Sequence, residues 1–496
     1  MKTKLLSFFR IKTRITENSG SYSTYKTTIQ LTMKKAISLV VFSVIFFQVL
    51  QTTAQQQVTH TLSLKQAQDY ALEHNAGMKN AKLDIELARK KIWETTAIGL
   101  PQVSASGSYQ HIFKVPELSF GGISLLSNQR EGVTLSAVPT GFNNDSIYLN
   151  FFQGDPIKLG VANNASLNFT VSQLVFSGEY IVGLQATRVF YQISQNSLSQ
   201  TSSDVREMVA NSYYLVLILE RNRDILTQSL NNLSGTLEEM KEMNKAGFIE
   251  DTDVDQIELT LLSLENGLRS LENQVTASYD LLKFQLGIPF ENNVILSEKL
   301  DDVINSSNIA SIVTRQFQVE NHITYKIMEN QEAAGKLFLK RQKSTYLPTL
   351  AAFYQHTEIA QKADFDFTMK DIAGLSLNIP IFSSGQRNAQ VQQRALELEK
   401  IRNSKNSVAQ GLQLDFINSR NSLNSAYDAF MNERRNIELT ERIYNKTLIK
   451  YKEGVSSSME LTTAQNQYLA AQGNYFNALF TLLSSKNKLE KLLNIQ

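Results

Sequence analysis

GFIEDTDVDQIELTLLSLENGLRSLENQVTASYDLLKFQLG at 247–287 and GVSSSMELTTAQNQYLAAQGNYFNALFTLLSSKNKLEKLLN at 454–494 carry one pattern written twice. Val254, Leu261, Leu268, Val275 and Leu282 fall every seven residues. Leu461, Tyr468, Tyr475, Leu482 and Leu489 do the same, each 207 residues downstream of its counterpart (461 − 254). A seven-residue apolar step is the seam of packed, coiled-coil-like helices. Each stretch opens on a glycine, Gly247 or Gly454, that turns the chain back from a preceding helix. The unit is therefore a long helical hairpin, and it is used twice.

Reading outward, the same order of elements precedes each hairpin. In the first copy a helix over 62–98 ends before Leu100-Pro101, and a strand runs from Gln102 to about Phe113. A second strand, 165–175, sets Ala165, Leu167, Phe169 and Val171 against Ser166, Asn168, Thr170 and Ser172. Phe176-Ser177-Gly178 then opens a helix to about Lys245 with Leu219, Leu226, Leu230, Leu233, Leu237 and Met240 on its seam, and the return runs over 251–286. In the second copy a helix over 316–346 precedes Leu347-Pro348, with strands at 349–358 and 372–382. Phe382-Ser383-Ser384-Gly385 opens a helix to Lys452 whose seam is Phe416, Leu423, Phe430, Ile437, Tyr444 and Tyr451, and 458–493 returns. A surplus of the first copy, about 113–163, is rich in Gly, Asn and Ser and reads as a long loop between two strands. The chain thus divides into 1–54, a first repeat 55–287, a polar linker 288–315 and a second repeat 316–496.

Composition narrows the partners. Net charge is +2 with no basic block beyond the N-terminus, which argues against nucleic acid. There is no cysteine, hence no disulfide, no thiol nucleophile and no lipid anchor on an N-terminal cysteine. Five histidines, at 60, 74, 111, 322 and 356, lack metal-ligand spacing, and no phosphate loop or nucleophile elbow occurs, so the sequence reads as no enzyme and implies no cofactor or metal. Trp93 reads as a packing residue of the first helix. Met33-Lys34-Lys35, the apolar run Ala36 to Leu50 and Thr52-Thr53-Ala54 fit an export signal cut near Ala54, with 1–32 an upstream segment. Beyond Gln57 no apolar run reaches 18 residues, so any membrane passage must use strands.

Lengths then constrain the assembly. A helix of about 68 residues spans on the order of 100 Å. The helices 62–98 and 251–286, stacked end to end, match it, as 316–346 and 458–493 match the second long helix. Each chain then supplies four strands, too few for a barrel, and lipid tolerates no open sheet edge. Two chains give about eight strands and a filled interior; three give twelve and a lumen. The fold class expected is mainly α with a small β part, the strands shared in a trimeric barrel.

These features together resemble the TolC-like outer-membrane efflux and secretion channels, over about 62–494. The resemblance rests on LSLKQA at 62–67, the two Leu-Pro pairs, the aromatic-glycine junctions at 176–178 and 382–385, and YKEGVSSSMEL at 451–461 followed by Ala464-Gln465. It implies a homotrimer with a twelve-stranded barrel in outer-membrane lipid and an α-barrel descending through the periplasm. A periplasmic adaptor would dock on the hairpin tips, linking the channel to an inner-membrane pump of the RND or ABC type that supplies the energy.

Carried over by position, the docking tips are Ala246, Gly247, Phe248, Glu453, Gly454 and Val455. The gate pairs Tyr451 with Asp253, while Ser456 stands where the family has an arginine. An aperture ring maps to Glu460, with Thr463 where a second acid is expected. The competing class is a periplasmic coiled-coil spacer or adhesin, which would not need the two amphipathic strands. Substrate, whether drug, metal ion or protein, stays open.

Overall fold

The computed structural model describes residues 58–118, 121–127, 133–134, 147–153, 157–158, 160–306, 309–361 and 369–495. The expected signal ending near Ala54 and the segment 1–32 lie outside the described residues. By packing, the chain divides into a small unit, Met1–Thr59 with Glu291–Asn293, and a large one, His60–Phe290 with Val294–Gln496. In the small unit the Asn293 N–H donates to the Val58 carbonyl at 3.0 Å.

The first copy runs β1 (Thr59–Leu62), α1 (Leu64–His74), α2 (Ala76–Ala97), β2 (Gln102–His111), five short strands β3 (Glu117–Leu118), β4 (Gly121–Ser127), β5 (Val133–Thr134), β6 (Ile147–Gln153) and β7 (Ile157–Lys158), then β8 (Asn163–Phe176), α3 (Gly178–Lys245) and α4 (Asp251–Leu286). After β9 (Asn293–Leu296), α5 (Leu300–Ser306) and α6 (Ile309–Val313), the second copy runs α7 (Ile323–Ser344), β10 (Thr349–Ile359), β11 (Asp371–Asn378), α8 (Gln386–Lys452) and α9 (Ser458–Leu492). The chain is mainly α with a small β part, as expected. Among the described residues no helix is long and apolar enough to cross a membrane.

Several expectations are corrected. The helix over 62–98 is two helices. Ser63 caps α1 in a capping box with Gln66. Asn75 then leaves the helical region (φ −58°, ψ 136°) and its Oδ1 accepts from Gly77 N–H at 2.8 Å and Met78 N–H at 3.3 Å, starting α2. Its Nδ2 donates to the Gln285 carbonyl at 2.7 Å, so the end of α4 abuts the α1–α2 junction, inside the 62–98 segment and not at its end as the stacking expectation had it. In the second copy Asn494 Nδ2 reaches the Asn321 carbonyl at 3.1 Å, although α7 begins only at Ile323, after a 3₁₀ turn at Val319–Asn321. The strand 372–382 stops at Asn378, ahead of Pro380, which has no N–H to pair. Within 113–163, read as loop, β3 pairs with β7 and β6 pairs with β4 and β5. Trp93 is exposed rather than packed in the single chain.

The linker 288–315 is also more than a linker. Ile288, Val294, Leu300, Val303 and Ile312 are buried in the main core with Ala67 and Ala71 of α1, Leu282 and Leu286 of α4, Phe416 and Leu423 of α8, and Leu479 and Leu489 of α9. Within α3 the deepest stretch is Val205–Ile218, upstream of the expected seam, where Val209, Tyr213 and Val216 have no exposure at all. Tyr213 carries its one polar atom there by donating to the Leu62 carbonyl at 3.1 Å.

The seven-residue rows do face inward. Val254, Val275, Leu282, Leu461, Tyr468, Leu482 and Leu489 are buried, with Leu261, Leu268 and Tyr475 half-buried. A second row three residues on, Ile257, Leu264, Leu271 and Ser278, completes the two-position seam of a knobs-into-holes helix. Nearer the turns, Leu233, Leu237 and Met240 of α3 meet Val254 and Ile257 of α4, Tyr444 of α8 and Leu461 of α9 in one cluster, so both hairpins share a core. Each fully buried leucine there contributes about 1.5–3 kcal/mol.

Four strands form one antiparallel sheet in the order β11-β10-β8-β2, with β11 and β2 at its edges. Residues directly opposite share a face. Val103 opposes Val171, Ala105 opposes Phe169 and Gly107 opposes Leu167; Leu350 opposes Leu377 and Ala352 opposes Leu375. That face is largely apolar. The other carries Ser104, Ser106 and Ser108 of β2 against Thr170, Asn168 and Ser166 of β8, with Gln355, Thr357, Ser376 and Asn378 beyond them. It is polar and, at these positions, uncharged.

Candidate docking tips and gate

Both hairpin turns have the same construction. Gly247 (φ 78°) and Gly454 (φ 72°) lie in the left-handed region that glycine enters without cost. At the first, Gly247 N–H donates to the Asn244 carbonyl at 2.8 Å and Phe248 N–H to the Met243 carbonyl at 2.9 Å. At the second, Gly454 N–H donates to Tyr451 at 2.9 Å and Val455 N–H to Lys450 at 2.8 Å. This pair of bonds is the Schellman closure, which satisfies carbonyls that a helix end otherwise leaves bare. Ala246 and Glu453 are the C-caps. The residue after each glycine, Phe248 at 78% and Val455 at 76% exposure, stands out as an apolar knob.

The return helices start differently. At the first turn Asn244 Nδ2 donates to the Ile249 carbonyl at 3.0 Å and to Asp251 Oδ1 at 2.9 Å. At the second, Ser457 caps α9 in a capping box with Glu460. Ser456 Oγ also donates to the Glu460 carboxylate, and this bond, with the Ser457 backbone N–H, lowers the Glu460 pKa from its ordinary value. Glu460 is exposed and belongs to the helix cap. Thr463 Oγ1 turns back to the Met459 carbonyl at 2.8 Å.

Tyr451 and Asp253, expected to pair, line one cavity of about 270 Å³ between the hairpins, with Thr236, Met240, Phe248 and Ser458. They are not hydrogen-bonded there. Asp253 takes the Ser458 hydroxyl, and the Tyr451 hydroxyl is buried without a partner. Burial first, then the Asp253 charge, raises the Tyr451 pKa and keeps the phenol protonated. Ser456, at the arginine position, serves the Glu460 cap.

One tie went unseen in the sequence. Lys452 Nζ meets Glu239 Oε2 at 2.9 Å, joining α8 of the second hairpin to α3 of the first. Residues 213 apart gave no local signal for it (452 − 239).

The sequence model of the outer membrane efflux protein family matches residues 339–494, which span α8, α9 and most of the second copy. No curated protein matches the chain. Among solved structures, CusC, described as forming a transmembrane channel, superposes with a TM-score of 0.65 at 14% identity, over 89% of this chain and 95% of that one. The outer membrane protein VceC of Vibrio cholerae gives 0.62 at 13% identity over 87% and 97%, and the open state of the Neisseria gonorrhoeae outer membrane channel MtrE gives 0.61 at 15% over 87% and 88%. The chain therefore has the fold of these outer-membrane proteins, with duplicated hairpins and a four-stranded sheet drawn from both copies.

Proposed function

We propose that this protein is the outer-membrane channel of a tripartite efflux or secretion system, a homotrimeric passive conduit with its helical part in the periplasm. The observation that carries this reading is the sheet. It has one largely apolar face and one whose β2 and β8 positions from Ser104 to Ser108 and Ser166 to Thr170 are small and polar, and its two edges, β2 and β11, are left unpaired within the described chain. Along β11-β10-β8-β2 the strands alternate in direction, so β2 of one protomer can pair antiparallel with β11 of the next. Three protomers then close twelve strands with the polar face inward. The helices support the same arrangement. α7 packs along both α3 and α8, whereas its first-copy counterpart α2 packs along α3 and leaves Leu83, Leu87 and Trp93 exposed. Leu396 and Leu414 of α8 are exposed too, and offer a neighbouring protomer's α2 the seat that α7 occupies within the chain. The expected test result is a protein that needs detergent, sediments as a trimer and gives discrete single-channel steps in planar bilayers. A water-soluble monomer without conductance overturns the reading.

In this conduit the tips Ala246–Phe248 and Glu453–Val455 receive the periplasmic adaptor, which couples the channel to an inner-membrane pump. Tyr451 and Asp253 work as gate elements from opposite hairpins of the shared cavity, with Ser456 unable to supply the family's arginine. Closure then leans on Lys452–Glu239 and on Ser458–Asp253. Three Glu460 carboxylates, one per protomer, together with the neutral Thr463, form a cation-attracting ring at the aperture. Glutamine serves as well as glutamate at this capping-box position. Glu460→Gln keeps the fold and lowers cation preference, seen as a reversal potential moved toward zero in asymmetric salt; an unmoved potential confines Glu460 to its capping role.

A further inference from the structure

The tripeptide Tyr-Gln-His occurs twice, at 109–111 and 354–356, once in the corresponding strand of each copy. In both places the tyrosine and histidine lie on the sheet's apolar face and the glutamine on the polar one. In both places they converge on a single side chain of the adjacent strand. Asn163 stands directly opposite His111, and its Oδ1 receives Tyr109 OH at 3.1 Å and His111 Nδ1 at 2.7 Å. Asp371 stands directly opposite His356, and its Oδ1 receives Tyr354 OH at 2.6 Å and His356 Nδ1 at 2.7 Å. An amide or carboxylate oxygen only accepts, so Nδ1 carries the proton in each clamp.

Each clamp closes the helix-distal end of a strand pairing, His111–Asn163 in the β2–β8 ladder and His356–Asp371 in the β10–β11 ladder. Tyr109 is eight residues past Pro101 (109 − 101) and Tyr354 six past Pro348 (354 − 348). At about 3.3 Å per residue and a barrel tilt near 40°, these are heights of roughly 20 and 15 Å. On the same face Val103, Ala105, Phe169 and Val171 lie below Tyr109, and Ala352 and Leu375 lie below Tyr354, which is itself level with Val171. At the helix end the exposed aromatics Phe176, Tyr346 and Phe382 mark the other limit. Beyond the second clamp the polarity rises further, with Glu358 within 3.3 Å of His356 Nε2 and 3.7 Å of Lys370 Nζ.

We infer that the two Tyr-Gln-His clamps are the outer membrane-interface anchors of the barrel, docking against the headgroup layer of the outer leaflet and fixing how deep the channel sits. This inference rests on the barrel reading above. A tyrosine or histidine edge-on at the headgroups keeps its ring in the apolar boundary and its polar atoms in the wet one. Tyr109 is 69% and Tyr354 45% exposed in the single chain, as a lipid-facing pair requires. Fixing both polar atoms of each clamp onto one cross-strand acceptor removes the rotamer freedom that would blur that boundary.

The chain has one tryptophan, Trp93, so depth can be read directly in a Trp93→Phe background. The full-length trimer is reconstituted in phosphatidylcholine vesicles containing lipid brominated either close to the headgroup or deep in the acyl chain. Tyr109→Trp and Tyr354→Trp are expected to be quenched more by the shallow label, and the mid-belt Leu375→Trp more by the deep one. Should the two tyrosine sites be quenched only by aqueous iodide, or as deeply as position 375, the anchoring inference fails while the barrel stands. If Leu375→Trp escapes both lipid labels, the barrel reading fails and takes the anchors with it. Where a tryptophan variant does not assemble, Ala165→Cys and Val171→Cys, directly across from Tyr109 and Tyr354, carry a fluorescent probe into the same test on a chain that has no other cysteine.

Discussion

The double variant Phe248→Asp, Val455→Asp is expected to assemble normally and to export nothing. Neither knob is packed in the chain, so the fold loses almost no buried area with them. Both turns are closed by backbone bonds that any side chain at these positions leaves intact. The cost falls on docking. An apolar knob at the centre of an interface is worth about 2 kcal/mol or more, and an unpaired carboxylate driven into the same place adds a further desolvation penalty. Two such losses weaken adaptor binding by at least about a thousandfold. Susceptibility of cells to exported compounds, read beside the amount of SDS-resistant trimer, checks both halves. Wild-type export from a well-assembled double variant would remove the tips from the docking surface.

The largest effect on stability is expected at Gly287, where Gly287→Ala should cost more than about 4 kcal/mol, a size reserved for a short list of structural failures. Gly287 ends α4 in the left-handed region (φ 74°), which alone penalises alanine by about 1–2 kcal/mol. A Cβ there would also lie 2.6 Å from the His74 carbonyl oxygen and 3.0 Å from its carbon. These are backbone atoms, and they cannot yield cheaply because the next residue, Asn75, caps α2 and holds the Gln285 carbonyl. Gly247→Ala is the internal control. It has the same handedness (φ 78°) but open space around it, so it should lose only about 1–2 kcal/mol. Denaturation midpoints of the two variants should differ widely; equal midpoints would mean that the close approach to His74 carries no weight.

The contrast between these glycines also shows what the sequence could and could not reveal. Gly247 and Gly454 were legible as turns because each ends a seven-residue seam and starts another. Those seams, the two amphipathic strands and the inability of four strands to close are periodic features, and periodicity survives without knowledge of neighbours. The α1–α2 break was not legible. It depends on Asn75 finding a carbonyl 210 residues away (285 − 75), and its local sequence reads as helix. The burial of 288–315 was hidden for a similar reason: its apolar residues are sparse and are covered by helices distant in sequence, Leu300–Ser306 by α3 and Ile309–Val313 by α8 and α9. At the gate, residue positions were legible but partners were not. Asp253 lies closer to the hydroxyl of Ser458 than to that of Tyr451, a competition among side chains at a helix start that spacing does not rank. Among the described residues the short strands between 117 and 158 pair with one another, and no alternation strong enough to announce them precedes their pairing.

The uneven treatment of α2 and α7 has a thermodynamic corollary. In the proposed trimer, a helix supported on one flank in isolation and on two in company ties the folded population to how much protein is present. Dilution should then melt this molecule at constant denaturant, so any midpoint quoted without a concentration describes the sample more than the sequence.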